Sequence, residues 1–297
     1  MMRSRRRLEP LRLFARTAPP DELKVDLRRV RWETWSQEMR ELLRGWAERI
    51  QALPEPALRF FGKGEYAYSL SLDLPARKET GLRHDMNRVV RAFYQMRPYP
   101  GLTLFDGLME ERISGAVLRR FFALVRSLMV HMTGDELAAI YAPLGAVGGT
   151  KRGAFPLHAD LYPPALLFNV FDRVPKDGSG ASLFVSANVV LRAFVTSPVV
   201  PLRVKQRVER FLTWPAKKDH YEELYDILHG SHPWTRDVGR VMRAQCVRIR
   251  FKTGQGYLVH DRLWLHGREA PRGGVPKDRL HRFIFDTMGT RELRIAD

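Results

Sequence analysis

The stretch GAFPLHADLYPPALLFNVF, residues 153–171, holds the pattern on which both the fold and the candidate site depend. His158 and Asp160 lie two residues apart in an extended, proline-bracketed segment, and the apolar run that follows has the composition of a buried strand. In strand geometry, residues i and i+2 project to one face, so an imidazole and a carboxylate can converge on one ion. The segment therefore predicts a strand edge that carries two metal ligands.

A histidine followed two places later by an acidic residue is a weak signal by itself. Nine histidines and 33 acidic residues in 297 positions give about one such pair by chance, and the chain has two. The second pair, His220 and Glu222, lies in the helix-like KKDHYEELYDIL, where side chains two residues apart diverge. We therefore predict no metal site at the second pair.

A third candidate ligand, His266, lies in GQGYLVHDRLWLHGREAP, residues 254–271. Two imidazoles and one carboxylate on one face leave three positions of an octahedral ion open, which is what oxygen activation by iron(II) requires. Zinc could bind the same donors, and it would instead indicate hydrolysis by a bound water. The donor set alone leaves both metals open.

The pattern of apolar and turn-forming residues changes near residue 134. After it, short β-rich runs are separated by Gly, Pro and Asp turns, which is typical of a barrel or a jelly roll. Residues 197–238 interrupt these runs with a helical, aromatic-rich segment, which we expect to act as a lid over the barrel mouth. Residues 134–297 are therefore predicted to form the core of the protein together with this insertion.

The chain before residue 134 is predicted to be mainly helical over 26–133 and to pack on the barrel, after a basic, proline-punctuated arm at 1–25. Apolar residues recur at a helical period in three segments, which are 33–53, 84–96 and 109–132. The whole chain is predicted to be one α+β domain with flanking helices.

Composition bounds the class of protein. Hydrophobic residues at 44% and aromatic residues at 10% exclude wholesale disorder. The N-terminal segment is broken by arginines and does not match a membrane span or a secretory signal. The only cysteine, Cys246, allows no disulfide framework and is expected to be a small buried hydrophobe. We therefore predict a cytoplasmic protein.

The net charge of +17 attracts polyanions such as nucleic acid, acidic lipid surfaces or anionic metabolites. The excess is partly concentrated in the arm at 1–25, which suggests peripheral association with the inner face of a membrane. No aromatic and basic RNA-binding module is visible, so nucleic acid is disfavoured as a partner. The charge indicates which kinds of partner the protein attracts and does not identify a reaction.

Three motifs, in order, resemble the taurine dioxygenase and clavaminate synthase branch of the iron(II)/2-oxoglutarate oxygenases over roughly residues 140–290. They are the His158 and Asp160 pair, the glycine-rich turn GSGASLFVSA at 178–187, and GYLVHDRLWLHGREAP followed by DRLHRFIFDT at 278–287. The resemblance implies a double-stranded β-helix core, which is a cupin-like jelly roll. It also implies iron(II) bound by His158, Asp160 and His266, with 2-oxoglutarate and molecular oxygen as co-substrates for hydroxylation of a C–H bond.

The resemblance assigns further roles to individual residues. Arg279 or Arg282 would bind the distal carboxylate of 2-oxoglutarate, since an arginine fork matches a carboxylate as lysine does not. The family's two arginines are usually four residues apart and here they are three apart, so both stay candidates, with a slight preference for Arg279. Ser182 takes the place of a threonine that helps to bind 2-oxoglutarate. The residues expected on the substrate side are Arg268, Tyr162 and Trp264.

The positive charge favours an anionic substrate such as a small molecule. The resemblance adds a glycolipid sugar, such as a sugar acid of the lipopolysaccharide inner core, by analogy with related oxygenases. Two other classes stay open. One is a non-catalytic basic barrel that binds nucleic acid or membrane phosphates, and the other is a zinc hydrolase. Neither the attacked carbon nor the oligomeric state follows from these residues.

Overall fold

The structure is a computed structural model, and it describes thirteen segments of the chain, which are residues 30–34, 37–60, 68–73, 80–95, 101–107, 113–134, 139–144, 154–159, 165–177, 179–213, 219–260, 263–272 and 279–286. The basic arm predicted at 1–25 lies outside these described residues.

The strands of the described residues, in chain order, are β1 Val30–Thr34, β2 Ala57–Phe60, β3 Tyr68–Ser71, β4 Leu102–Asp106, β5 Ala139–Leu144, β6 Phe155–His158, β7 Ala165–Arg173, β8 Ser182–Ser186, β9 Val247–Ile249, β10 Gly256–His260, β11 Trp264–Arg268 and β12 Arg279–Asp286. The helices are α1 Gln37–Gln51, α2 Thr80–Gln95, α3 Gly115–Thr133, α4 Ala187–Thr196, α5 Leu202–Thr213, α6 Asp219–His229 and α7 Thr235–Ala244. This content confirms the predicted α+β class.

The strands form an eight-stranded sheet in the order β1-β4-β10-β7-β12-β5-β3-β2 and a four-stranded sheet in the order β6-β11-β8-β9. From β5 onward the antiparallel pairs are nested, with β8 on β9, β7 on β10, β6 on β11 and β5 on β12. The chain is thus one long hairpin whose successive pairs alternate between two sheets. That winding agrees with the connectivity expected of the predicted jelly roll.

The N-terminal part, predicted to be mainly helical, also contains strands that the prediction did not include. It contributes four strands as well as three helices, and β1, β2, β3 and β4 extend both ends of the large sheet. Glu33, predicted as the start of a helix, belongs to β1, and α1 begins at Gln37. β1 pairs in parallel with β4, a non-local contact that a helical period cannot reveal.

Helix α3 covers the outer face of the large sheet. Ser114 caps its start by accepting a hydrogen bond from the Val117 amide, and Gly134 ends it in the left-handed conformation at φ 66°. Between these caps the helix buries Phe121, Phe122 and Leu128, together with sheet residues such as Phe168. The N-terminal part of the chain therefore supports one side of the large sheet.

The four helices α4 to α7 pack behind the small sheet. Their buried residues form one cluster with Leu157, Val185 and Leu265, which alternate along their strands with the residues facing the large sheet. The structure thus has helices over most of the insertion predicted at 197–238, and they continue to residue 187 on one side and 244 on the other. The contacts of the described residues place these helices on the outer face of the small sheet. The lid over the barrel mouth therefore stays a prediction.

A third cluster fills the space between the two sheets. Phe184 and Trp264 come from the small sheet, and Phe171 and Tyr257 come from the large one. The rings of Phe184 and Tyr257 meet edge to face with their centroids 4.8 Å apart. This aromatic core holds the two sheets face to face.

None of the described helices combines the length and apolar character that a bilayer crossing needs.

Cys246 packs against the cluster behind the small sheet. Burial raises the pKa of its thiol to about 11, so the thiol stays protonated near neutral pH. We expect iodoacetamide at mildly alkaline pH to alkylate the folded protein on the order of 100-fold more slowly than the unfolded chain, because the reactive thiolate is that much rarer. Mass spectrometry of a time course measures both rates, and equal rates would contradict the partly buried position of Cys246.

Candidate metal centre

The two histidines that the sequence singled out meet in the small sheet. His158 ends β6 and lies directly opposite His266 in the antiparallel neighbour β11. Opposite residues of an antiparallel pair share a face, and the two ring centroids are 4.8 Å apart. His158 is 9% exposed and His266 is 4% exposed. The pair is therefore close enough for both rings to ligate one ion, in a site with little access to water.

The hydrogen bond of His158 selects its tautomer. Nδ1 lies 2.6 Å from the carbonyl oxygen of Pro156, which can only accept, so Nδ1–H is the donor. The lone pair is then on Nε2, which is the arrangement found in histidines that bind metals. The local backbone thus prepares His158 as a ligand.

The pairing of β6 with β11 contains an irregularity beside the histidines. His266 pairs with His158 whereas Arg268 pairs with Phe155, so β6 has one extra residue between these two pairs. The bulge places the ring of Phe155 beside that of His158, with centroids 6.0 Å apart. Gly267 allows the backbones of β6 and β11 to approach each other closely at the bulge. A Cβ at this position would lie 2.7 Å from the Phe155 carbonyl oxygen. The motif HGR therefore needs its glycine for packing.

We expect Gly267→Ala to push β6 away from β11 and to lower the free energy of unfolding by about 2 kcal/mol, as overpacking commonly does. Urea denaturation followed by circular dichroism measures the change. The matched control is Gly45→Ala in α1, where a Cβ would meet no atom within 4 Å, and it should stabilise the protein slightly because alanine is the better helix former. Equal stabilities of Gly267→Ala and the wild type would contradict the close approach.

An arginine faces the histidines from the opposite sheet. Tyr257, Asn169 and Arg282 are neighbours in one row across β10, β7 and β12. The row faces the small sheet, because Tyr257 contacts Phe184, which lies opposite His266 in β8. Nε of Arg282 donates to Oδ1 of the fully buried Asn169 at 2.9 Å. The guanidinium of Arg282 is therefore anchored on the inner face of the large sheet.

Arg279, the other arginine candidate, begins β12 opposite Arg173. The register shifts between Arg279 and Leu280, and the described structure gives only the backbone of Arg279. Leu280 and Ile284 join the cluster between the sheets, so the even positions of β12 point inward with Arg282. The pairing thus favours Arg282 over Arg279 as the arginine of the site.

Ser182, Trp264 and Arg268 share the inner face of the small sheet. Trp264 and Arg268 are each two residues from His266 on β11, and Arg268 lies opposite Ser182. The guanidinium carbon of Arg268 lies 5.3 Å from the centre of the Phe155 ring, in a cation–π contact. The serine, the tryptophan and this arginine are therefore on the same face as the histidines, as expected for wall residues.

Two expected site residues, Asp160 and Tyr162, lie outside the described residues. Within the described segments, no group of three or more His, Cys, Asp or Glu side chains could hold a metal ion. The described part of the centre therefore consists of two imidazoles, and the carboxylate ligand stays a prediction. The pair His220 and Glu222 falls in helix α6, which confirms the helical prediction for that segment.

Sequence reasoning missed His229 at the end of α6. Its Nε2 lies 2.7 Å from the carbonyl oxygen of Leu157, the residue before His158. Burial lowers the pKa of His229, and the hydrogen bond to Leu157 opposes that shift only in part. This contact ties the helices behind the small sheet to the strand that carries a candidate ligand. A histidine 71 positions from His158 in the sequence gives no motif, so only the structure identifies it.

His281 lies on the opposite face of β12 from Arg282. Its side chain points away from Arg282 and is 1% exposed on the outer face of the large sheet. There it forms a hydrogen bond with the Tyr141 hydroxyl and lies 3.7 Å from the Asp172 carboxylate. These contacts join β12 to β5 and β7, and they fix the strand that carries Arg282.

Comparison with known proteins gives likenesses in structure alone, since neither a family model nor a curated protein matches the chain. An asparagine oxygenase in complex with Fe(II), 3-hydroxyasparagine and succinate is 13% identical, with 87% of this chain and 93% of that one covered at a TM-score of 0.42. The non-haem iron oxygenase OrfP is 12% identical, with 90% and 97% covered at 0.42. A taurine dioxygenase from Burkholderia xenovorans is 10% identical, with 78% and 90% covered at 0.34. Likenesses of this degree do not define a reaction, which has to follow from the side chains.

Proposed function

We propose that this protein is a non-haem iron(II) oxygenase that uses 2-oxoglutarate and molecular oxygen to hydroxylate a C–H bond. The observation that carries the proposal is the pairing of two buried imidazoles, His158 and His266, on the inner face of the small sheet. Asp160, two residues after His158, would complete the donor set.

The residues present fit iron(II). Two imidazoles and one carboxylate are the facial donor set that leaves neighbouring coordination positions free. The hydrogen bond from His158 to Pro156 holds the ring with Nε2 available. When bound, iron(II) supplies the activation of oxygen that no side chain can provide. A tetrahedral zinc site with the same donors would give no role to Arg282, which faces the histidines from the large sheet.

The inward arginine supplies the receptor for a dicarboxylate. Arg282 presents a guanidinium whose Nε donates to Asn169, and its two terminal nitrogens are proposed to bind both oxygens of the distal carboxylate of 2-oxoglutarate. Asn169 orients this fork because it is itself fully buried. The hydroxyl of Ser182, on the facing sheet, is proposed as a second donor to 2-oxoglutarate.

The substrate is proposed to be anionic, either a small molecule or a glycolipid sugar. Arg268 supports this class because it is a cation on the same face as His266 and is held over the Phe155 ring. Trp264 would form an apolar wall two residues from His266, and Tyr162 is proposed to line the same pocket. The aromatic core between the sheets would exclude water from the reacting centre.

The proposal is tested by anaerobic addition of iron(II) and then 2-oxoglutarate to the full-length protein. We expect iron to bind at one equivalent per chain, and a visible charge-transfer band to appear only when both are present. On admission of oxygen, succinate should form from 2-oxoglutarate, and an anionic substrate from a metabolite panel should accelerate its formation. Binding of zinc with no response to 2-oxoglutarate would favour hydrolysis instead. Failure to bind any metal would favour a non-catalytic basic barrel.

A further inference from the structure

The turn between α4 and α5 exposes an unusual group of apolar side chains. The described residues include five exposed large hydrophobic side chains, and three of them, Val195, Val199 and Leu202, fall within eight positions. They are 48%, 45% and 70% exposed respectively. Single exposed hydrophobics are ordinary on a protein surface, whereas a local group indicates an interaction site. We call residues 195–202 the apolar tip.

The apolar tip is held in place by its neighbours. Val200 and Ser197 point inward, at 4% and 8% exposure, and Val200 joins the cluster behind the small sheet. Nζ of Lys205 donates to the carbonyl oxygen of Val195 at 2.7 Å and links the two helices across the turn. Pro198 and Pro201, both exposed, restrict the backbone between them. The exposed side chains are thus presented on a fixed turn.

The charges around the apolar tip identify the partner. Helix α5, which starts at Leu202, carries four basic residues and one acidic residue. Arg203, the first of the basic residues, is exposed directly beside Leu202. The chain as a whole has a net charge of +17. Such a surface is complementary to a lipid bilayer whose apolar interior is covered by anionic head groups.

The size of the apolar tip separates a lipid partner from a protein partner. A specific protein interface covers about 800 Å² on each side, which is more than three side chains on one turn can supply. A lipid surface needs no such area, because a few apolar side chains enter the acyl region while flanking cations bind head groups. The apolar tip also lies with the helices behind the small sheet, so docking there leaves the histidine face uncovered.

We propose that the apolar tip is a docking site for an anionic bilayer surface, with Val195, Val199 and Leu202 inserted at the interface and Arg203 on the head groups. This inference does not depend on the proposed oxygenase reaction. It also differs from association through the basic N-terminal arm, since it rests on a different segment.

The test is sedimentation of the full-length protein with vesicles of phosphatidylcholine alone and with vesicles in which roughly a quarter of the lipid is phosphatidylglycerol. We expect binding to the anionic vesicles only. Val199→Glu should weaken that binding roughly tenfold, because a carboxylate resists entry into the interface. The matched control is Val241→Glu, which makes the same charge change at an exposed valine of α7 and should alter binding by less than about twofold.

Three results would overturn the proposal. One is wild-type protein that ignores anionic vesicles, and another is equal weakening by the two glutamate variants, which would assign the binding to general charge or to the N-terminal arm. The third is a dimer in the absence of lipid that Val199→Glu dissociates, which would make a second copy the occupant. Val199→Trp gives an independent readout, since its fluorescence should shift to the blue with anionic vesicles and stay unchanged with phosphatidylcholine.

Discussion

His266→Ala is expected to abolish iron(II) binding by this protein, with a loss in affinity greater than about 100-fold, because even residues that only support a ligand commonly cost 10–100-fold when changed. His266 lies opposite His158 and cannot be replaced by a neighbour, since its strand neighbours on that face are Trp264 and Arg268. Iron bound after anaerobic dialysis measures the loss, and the band with 2-oxoglutarate should vanish with it.

The control for this prediction is His84→Ala, which removes an exposed histidine of α2. It should bind iron as the wild type does. Circular dichroism of both variants separates loss of a ligand from loss of the fold. If His266→Ala retained one equivalent of iron at wild-type affinity while His158→Ala did the same, the proposed metal centre would be wrong.

Arg282→Lys is expected to weaken 2-oxoglutarate binding roughly 100-fold, because a charged bidentate contact to the carboxylate is replaced by a point charge that cannot match its geometry. Iron(II) binding should be unchanged, since the arginine lies on the large sheet and the histidines on the small one. Titration of the anaerobic iron(II) protein with 2-oxoglutarate, followed by the charge-transfer band, measures the affinity.

Arg279→Lys is the matched comparison, because it makes the same chemical change three residues earlier on the same strand. It should bind 2-oxoglutarate within about twofold of the wild type, as changes away from a site usually do. The opposite pattern, with loss in Arg279→Lys and none in Arg282→Lys, would return the role to the arginine that the sequence slightly preferred.

The ambiguity between the two arginines shows where sequence reasoning ends. An odd separation puts Arg279 and Arg282 on opposite faces of a regular strand, but both faces of β12 are apolar, with Leu280 and Ile284 on one and Phe283 on the other. Hydrophobic alternation therefore cannot say which face is inward. Only the pairing with Asn169, and the register shift at Arg279, decide it.

Other features were predictable because their signals are local. Trp264, His266 and Arg268 share a face because they lie two residues apart within one strand, a relation that is local in the sequence. Helical periodicity located α2 and α3 to within several residues. The parallel pairing of β1 with β4 and the contact of His229 with Leu157 join segments that carry no motif for each other. Long-range geometry of this kind depends on the packing of the whole chain, and a single sequence does not encode it in a readable pattern.

The nested order of the strands has a consequence for folding kinetics. The outermost of the nested pairs joins Ile140 to Ile284, about 140 residues later along the chain, so the entropy of closing a long loop opposes the formation of this pair. Domains dominated by such contacts reach the native state slowly and leave strand edges open while they do so. A metal ion that links β6 and β11 would stabilise the folded state against this cost, because it bridges two strands that are far apart in the sequence.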